Sequence, residues 1–448
     1  MKLYSENKDY KLYQGNMLDM LEVIESNSID SIITDPPYEL NFMNKGWDNA
    51  GISFQADTWR KCYEVLKPGG YLLAFGGSRT FHRIACAIED AGFEIRDTIM
   101  WLYGSGFSKS MNLSKGLEAK EKLGNAGTRN KRKIEQSCDT EEYKLKQTNN
   151  GAMGKIIETT RKEYKPDTDL AKQWQGWGTC LKPSFEPIIV ARKPFKGSLV
   201  DNVIKYGVGG INIDECRVEY EKTTNPATNP LYRQQNADKY KQVKGGELSN
   251  GAVSWTSGKN GVSEMGRFPA NTILTYDETD FDEVCGGFPN TKSQKGQISN
   301  KDSIGGNGIY GGTNNDNVRN IGFNDSGSAS RYFYCAKASK KDRDEGLEEF
   351  KEKNTHPTVK PTTLMQYLVR LVTPNGGIIL DPFNGSGSTG KAVMYENKER
   401  YKNYKYIGIE LTEEYLPISK ARIEYVCKDL EKEERINEVD KLDLSCLD

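Results

Sequence analysis

The feature that most constrains the fold is an alternation of short β-branched apolar runs with amphipathic helical segments, which occurs near both ends of the 448-residue chain. Near the N-terminus, Ile29–Thr34 and Tyr71–Phe75 have the composition of buried strands. Between them, Asp57–Leu66 has the apolar spacing of a helix, and Lys67–Gly70 is predicted to form the turn into the second strand. Strands that alternate with helices predict a mostly parallel sheet with helices on both faces, the Rossmann-like α/β class.

A long polar stretch separates the two alternating regions. Residues 220–330 are rich in Gly, Asn, Ser and Thr, and the alternation returns only at about His356. The simplest interpretation is one α/β domain split by a long polar insertion. The other predicted helices are Arg79–Ala91, Thr362–Val372, Thr389–Glu396 and Glu413–Leu430, and the other predicted strands are Ile95–Tyr103, Pro187–Ala191, Gly377–Leu380 and Tyr406–Ile409.

Composition excludes several classes of protein. No apolar run approaches the roughly 18 residues of a membrane helix, and the N-terminus lacks the apolar core of a secretion signal. The nine cysteines are an odd number, and none lies at C-x-x-C spacing, which favours reduced thiols in the cytoplasm. With two histidines, a metal site is not expected. Because 62 basic residues balance 63 acidic ones, any nucleic-acid surface must be a local patch.

A glycine-rich loop, Asp381–Gly390, lies between a predicted strand and a predicted helix. Such a loop lets a ligand approach the backbone at the carboxyl edge of a sheet. Gly385–Lys391 fits the P-loop pattern, but Ala392 stands where a P-loop has the Ser or Thr that holds magnesium. The alternative is a nucleoside-binding loop, for which Glu410, at the end of the next strand, would bind ribose hydroxyls. This second interpretation is favoured.

The motif Asp35-Pro36-Pro37-Tyr38 follows the first predicted strand directly. Two prolines end the strand and stiffen the turn, so a carboxylate, a carbonyl and an aromatic ring project from its carboxyl end. The amino group of adenine or cytosine is a poor nucleophile, and two fixed acceptors, Asp35 and the Pro36 carbonyl, can draw its nitrogen toward tetrahedral geometry. Tyr38 can stack on a base that has left the duplex. The motif alone also suits an ordinary turn.

Together, the two motifs resemble those of the S-adenosylmethionine-dependent DNA amino-methyltransferases. The order, with the catalytic motif before the cofactor loop, is similar to the beta class, and the wider sequence resembles phage and prophage members. The resemblance rests on the two motifs and on further segments at 14–19, 66–70, 101–107, 334–339 and 356–361.

The resemblance implies roles for particular residues. The catalytic residues would be Asp35, Pro36, Pro37 and Tyr38. The cofactor would contact Asp381, Pro382, Phe383, Asn384, Gly385 and Gly387, with its ribose on Glu410, its adenine near Asp19 and its methionine carboxylate near Lys360. Two positions depart from the family pattern, since Glu39 stands where glycine is frequent and Asn384 where a bulky residue is frequent.

The implied reaction is direct methyl transfer to N6 of adenine in a base flipped out of double-stranded DNA. N4 of cytosine is the close alternative. Aspartate at the first position of the motif favours the adenine enzymes without excluding the cytosine enzymes. No metal is required, and no covalent intermediate is expected because no cysteine follows a proline. The chain would act in the cytoplasm as a monomer or homodimer in restriction–modification, with or without a partner nuclease. A P-loop nucleotide hydrolase and a non-catalytic DNA-binding relic are the alternatives from other classes.

The resemblance also suggests domain boundaries. The basic run Arg129–Lys133, within the first insertion, is either a solvated face or a phosphate contact. The predicted divisions are a catalytic half (1–107), a polar basic insertion (108–174), a returning strand and connection (175–217), a target-recognition insertion (218–330), a cofactor-binding half (331–430) and an acidic tail (431–448).

Overall fold

The computed structural model describes residues 2–40, 51–103, 110–137, 142–148, 156–162, 164–218, 266–276, 290–292, 296–298, 319–321, 326–328, 333–337, 340–351 and 353–428. The strands are β1 Lys2–Glu6, β2 Tyr10–Gln14, β3 Ile29–Thr34, β4 Leu66–Phe75, β5 Glu94–Tyr103, β6 Glu142–Thr148, β7 Ile156–Lys162, β8 Phe185–Arg192, β9 Thr272–Tyr276, β10 Asn290–Lys292, β11 Gly296–Ile298, β12 Arg319–Ile321, β13 Ser326–Ser328, β14 Tyr334–Lys337, β15 Ile378–Asp381 and β16 Lys405–Glu410. The helices are α1 Met17–Leu21, α2 Ala56–Val65, α3 Phe81–Asp90, α4 Leu113–Leu123, α5 Thr128–Ser137, α6 Asp169–Gln173, α7 Leu199–Tyr206, α8 Lys340–Asp344, α9 Thr362–Val372, α10 Ser388–Arg400 and α11, residues 416–428. Short 3₁₀ turns occur at Ile52–Phe54, Asp214–Cys216 and Glu413–Tyr415.

A ten-stranded sheet organises the larger of two structural units, which comprises residues 1–104 and 185–448. Its strand order is β1-β2-β16-β15-β3-β4-β8-β5-β9-β14, and every neighbouring pair is parallel except those that involve β1 or β8. From β15 the chain passes through α10 to β16 on one side, and from β3 it passes through α2 to β4 on the other. The boundary between β15 and β3 is therefore a topological switch point, where open α/β sheets bind ligands.

Both faces of the sheet are covered by helices. Successive side chains of a strand point to opposite faces, so Ile32 and Leu72 pack in one apolar cluster with Trp59 of α2, whereas Ile33 and Leu73 pack in another. Helix α9 contributes its leucines to the second cluster. Because both faces are buried, the central strands are nearly continuous in apolar residues, which confirms the predicted α/β class.

Most predicted elements agree with the structure to within a few residues, and Ile29–Thr34 and Thr362–Val372 agree at both ends. Lys67–Gly70 does not form a separate turn. The strand β4 already begins at Leu66, and the register with β3 shifts between Ile29 and Ser31, so these residues form an irregularity within the strand. The predicted final helix begins with a 3₁₀ turn and is described only to residue 428.

The smaller unit comprises residues 105–184. In it, α4 packs against α6, the hydroxyl of Ser114 donates to the Ala171 carbonyl (2.6 Å), and Lys122 pairs with Glu118 (2.7 Å). Strands β6 and β7 form an antiparallel pair, and the basic run at 129–133 lies in α5. Most of the predicted target-recognition insertion and the whole acidic tail lie outside the described residues. None of the described helices combines the length and apolar character needed to cross a bilayer.

Candidate active site

The two sequence motifs meet at the carboxyl ends of adjacent parallel strands. Strand β3 pairs with β15 in the register Ile32↔Leu380, and the Thr34 hydroxyl donates a 2.7 Å hydrogen bond to Oδ1 of Asp381. Asp35 follows Thr34 directly, so its carboxyl group and that of Asp381 flank the switch point, and the charge of Asp35 contributes to the raised pKa of Asp381. The structure thereby brings together the two halves of the predicted site.

Asp35 is held by a lysine from a distant part of the chain. Lys360 donates to Oδ2 of Asp35 at 2.6 Å, and its side chain is 6% exposed. The other oxygen, Oδ1, is buried and has no hydrogen-bond partner among the described residues. Burial raises the pKa of Asp35 although Lys360 opposes this rise. Lys360 thus lies beside the Asp35–Tyr38 motif, and its predicted contact with the methionine carboxylate stays a prediction.

Tyr38 is positioned through its hydroxyl, its backbone carbonyl and its ring. Its hydroxyl donates to Oε2 of Glu186 at 2.7 Å, and its backbone carbonyl accepts a 2.9 Å hydrogen bond from the Thr80 hydroxyl. A Cβ at Gly77 would lie only 3.2 Å from the ring, so glycine permits the close approach of the next βα turn. Burial raises the pKa of Tyr38 well above its ordinary value, and the tyrosine is therefore neutral at physiological pH.

Asp381 forms the floor of the glycine loop. Its carboxylate accepts from the hydroxyls of Thr34 (2.7 Å) and Thr389 (2.6 Å) and from the amide of Phe383 (3.1 Å). Burial raises the pKa of Asp381 to about 6, against the opposing effect of these three donors. Asp381 is 2% exposed, so the structure shows it as a buried residue that stabilises the loop.

Glu410 closes the loop from the neighbouring strand. Its two oxygens accept from the amides of Gly385 (2.6 Å) and Thr412 (2.7 Å). Burial raises the pKa of Glu410 to about 7, although both amides favour the ionised form. A buried carboxylate at this strand end is suited to accept further hydrogen bonds from ligand hydroxyls.

The backbone of the loop depends on glycine at two points. Gly385 and Gly387 have φ of 52° and 74°, in the left-handed region. A Cβ on Gly387 would lie 2.5 Å from the Ser419 hydroxyl oxygen, and one on Gly385 would lie 2.8 Å from the imidazole of His356. Burial lowers the pKa of His356 to about 3, so this ring is a neutral packing group.

Asn384 anchors the loop to the protein interior. Its Oδ1 accepts from the Tyr406 hydroxyl at 2.8 Å, and its Nδ2 donates to the Ser419 hydroxyl at 2.9 Å. Its Nδ2 also donates to the Gly385 carbonyl at 3.1 Å, so the amide side chain ties the loop to the interior by hydrogen bonds. Pro382 is buried, and Phe383 packs with a 6.4 Å centroid distance against Trp59.

Lys391, the residue that a P-loop would turn toward phosphates, is fully buried. Its ammonium pairs with Asp342 at 2.7 Å and with Glu345 at 2.8 Å, so it is committed to interior carboxylates. Helix α10 begins only at Ser388. This arrangement does not favour the P-loop alternative.

The structure places Asp19 and Glu39, the two other positions named from the sequence, in different surroundings. Asp19 is exposed on α1, which follows the strand β2 that pairs with Glu410 through Gln14. Glu39 has a left-handed φ of 54°, a conformation that glycine adopts most easily, and its carboxylate accepts from the Gly51 amide at 2.8 Å. Glu39 therefore connects the turn after Tyr38 to Gly51.

Sequence reasoning missed Glu186, Thr34 and Thr389 as members of the site. Glu186 carried a signal, because it is a charged residue directly before the apolar run Pro187–Ala191. The two threonines carried none, since β-branched residues are ordinary at strand and helix positions. Within the part of the chain that the structure describes, no group of three His, Cys, Asp or Glu side chains could hold a metal ion.

A doubly wound sheet with an acidic turn and a glycine loop on either side of its switch point defines the class of α/β proteins that bind a nucleoside-type ligand at the sheet's carboxyl edge. Within that class, the chain belongs to the N6/N4 DNA methylase family, whose sequence profile matches residues 29–421.

Individual relatives match over shorter stretches. Type II methyltransferase M.HpaI of Haemophilus parainfluenzae is 35% identical over 112 residues, which are 24% of this chain and 36% of that protein. Type II methyltransferase M.HindIII of Haemophilus influenzae is 22% identical over 243 residues, which are 45% of this chain and 64% of that protein. The chain thus spans about a third of the first relative and just under two thirds of the second. Among solved structures, the cytosine-N4-specific PvuII DNA methyltransferase aligns over 92% of this chain and 86% of its own, with 14% identity and a TM-score of 0.39.

Proposed function

We propose that this chain transfers a methyl group from S-adenosylmethionine to N6 of an adenine that is extruded from double-stranded DNA. The family carries N6- and N4-type DNA methylases, and the aspartate at position 35 is typical of the adenine enzymes that the sequence resembles. The observation that carries the proposal is the Thr34–Asp381 hydrogen bond, because it joins a motif suited to an amino group and a loop suited to a nucleoside in one crevice.

The catalytic turn would act on the amino group through fixed acceptors. The buried Oδ1 of Asp35 accepts one amino hydrogen and the Pro36 carbonyl accepts the other, which frees the nitrogen lone pair for attack. Tyr38 stacks on the base and compensates part of the few kcal/mol that base extrusion costs. As the nitrogen–methyl bond forms and the carbon–sulfur bond breaks, the surplus proton leaves the nitrogen toward Asp35.

The loop residues fit a nucleoside cofactor by their chemistry. Glu410 and Asp381 are buried carboxyl groups with raised pKa, and Glu410 stands where ribose hydroxyls are bound in doubly wound folds. Bound there, S-adenosylmethionine would supply a methyl group already activated by sulfonium. Alignment of the base and the cofactor is then the main contribution of the protein.

The decisive experiment measures transfer of tritiated methyl from S-adenosylmethionine into DNA and maps the product by methylome sequencing of host DNA with and without the gene. Wild-type protein is expected to label DNA at N6 of adenine in a defined sequence. Asp35→Ala is expected to lose transfer by about 100-fold or more while it still binds S-adenosylhomocysteine. Asp57→Ala, on the exposed surface of α2, is the matched control and should retain activity.

The outcomes separate the alternatives. Methylation at N4 of cytosine would retain the reaction class and overturn the adenine assignment. Cofactor and DNA binding without any transfer would identify a non-catalytic relic. Full activity of Asp35→Ala would contradict the proposed mechanism.

A further inference from the structure

Glu186 is the centre of a partly buried polar cluster that comes from four separate parts of the chain. Its Oε2 accepts from the Tyr38 hydroxyl at 2.7 Å and lies 3.4 Å from the Lys360 ammonium. Its Oε1 accepts from the Tyr103 hydroxyl at 3.4 Å. Lys360 in turn donates to Asp35. Through these contacts Glu186 touches both the aromatic ring and the cation of the catalytic turn.

We propose that Glu186 is a positioning residue. It holds Tyr38 and Lys360 so that Oδ2 of Asp35 stays hydrogen-bonded to Lys360 and Oδ1 faces the base. This inference rests on the proposed function and assigns a role to a residue outside both motifs.

The reason is the cost of burying a lone ammonium. The Lys360 ammonium lies 5.3, 4.9 and 5.9 Å from the ring centroids of Tyr38, Phe75 and Trp101, and the residue is 5% exposed. Rings contribute favourable cation–π energy, but an unpaired buried charge is costly, so Lys360 needs nearby carboxylates. Glu186 supplies a second one and fixes the side of Asp35 on which the ammonium lies. Oδ1 of Asp35 is thereby left for the ligand.

Among the described residues, four groups face the Asp35 carboxyl: Lys360 from the segment before α9, Glu186 from β8, Tyr38 from its own turn and Asp381 from β15. Burial raises the pKa of Asp35, the Lys360 charge lowers it, and the Glu186 charge raises it further. Removal of the Glu186 charge is therefore expected to lower the pKa of Asp35, whereas removal of the Lys360 charge is expected to raise it.

The test is a carboxyl-carbon NMR titration of full-length protein labelled with ¹³C-aspartate, in which Asp35→Asn identifies the Asp35 signal. The Asp35 midpoint is expected at lower pH in Glu186→Gln and at higher pH in Lys360→Met. Glu94→Gln, at the exposed amino end of β5, is the control and should leave the midpoint unchanged. A midpoint that Glu186→Gln leaves unchanged or raises would overturn the proposal, whatever Lys360→Met does.

Kinetics provide the second measurement. Glu186→Gln retains an acceptor for the Tyr38 hydroxyl, whereas Glu186→Ala does not, so kcat is expected to fall about 10- to 100-fold in the alanine variant and less in the glutamine variant. KM for DNA should change little in either. Equal losses in both variants, or a loss confined to KM, would contradict positioning. If wild-type protein methylates no DNA, the proposed function fails, and the NMR titration still decides the role of Glu186.

Discussion

The hydroxyl of Thr34 donates to the carboxylate of Asp381 across 347 positions of sequence, and this contact links the strand before the Asp35–Tyr38 turn to the strand before the glycine loop. Both side chains are buried, at 0% and 2% exposure. A hydrogen bond to a buried carboxylate is costly to leave unmade, so it fixes the relative position of the two strand ends.

Thr34→Val is expected to destabilise the protein by about 1–3 kcal/mol, because it removes a donor to a buried acceptor while it keeps the side-chain shape.

This cost should depend on pH. Burial raises the pKa of Asp381 to about 6, so the folded chain binds the carboxyl proton more tightly than the unfolded chain does. The contribution of Asp381 to the free energy of unfolding therefore falls as pH rises from about 4 to about 6. The cost of Thr34→Val should be larger at pH 8, where the acceptor is charged, than at pH 5. Urea unfolding at both pH values measures this, with Thr98→Val, a half-buried strand threonine, as the control. An equal cost at both pH values would show that the Thr34 bond does not depend on the charge of Asp381.

Glu410 should make cofactor binding depend on pH. Its pKa of about 7 leaves it partly protonated near neutrality, and hydrogen bonds from ribose hydroxyls favour the ionised form. On the proposed role, binding of S-adenosylhomocysteine should therefore release a proton, and its Kd should fall as pH rises from about 5.5 to about 8. Isothermal titration calorimetry in buffers of different ionisation enthalpy measures the proton release. Glu410→Gln should bind more weakly and without this pH dependence; proton uptake by wild-type protein would contradict the role.

Gly387 and Gly376 form a matched pair for the glycine loop, since both have φ of 74°. A Cβ at Gly376 meets nothing within 4 Å, whereas one at Gly387 would lie 2.5 Å from the Ser419 hydroxyl oxygen. Gly376→Ala should therefore cost only the left-handed backbone strain, about 1–2 kcal/mol. Gly387→Ala should cost about 1–3 kcal/mol more through overpacking, and it should also weaken cofactor binding. Chemical unfolding and calorimetry compare the two variants, and equal costs would mean that the loop has room to adjust.

Lys391 distinguishes the interior lysine seen in the structure from a phosphate-binding lysine. Lys391→Met should destabilise the fold by about 3 kcal/mol, because Asp342 and Glu345 lose their buried counter-ion. Lys420→Met, in a surface pair with Glu424 at 3.7 Å, should cost less than about 1 kcal/mol. Thermal unfolding with magnesium and ATP should show no stabilisation of wild-type protein. A magnesium-dependent rise in Tm would instead revive the P-loop alternative.

The sequence by itself determined the elements and the chemistry of the turn and the loop. The run Ile29–Thr34 contains three isoleucines and a threonine, a β-branched composition that predicts a buried strand, and the structure buries all six of its residues. The prolines after Asp35 and the glycines of the 381–390 loop have local effects on the backbone, so their consequences could be predicted without knowledge of the rest of the chain.

Tertiary structure alone decided which distant side chains complete the site. Strand order places β15 next to β3, and only this pairing lets Thr34 meet Asp381. Glu186 reaches Tyr38 because β8 inserts antiparallel between β4 and β5. Lys360 turns to Asp35 and Lys391 to Asp342, although the sequence pattern alone suits both for ligand contacts. A charged side chain pairs with whichever opposite charge the fold buries beside it, and that neighbour is set by packing across hundreds of residues rather than by local spacing.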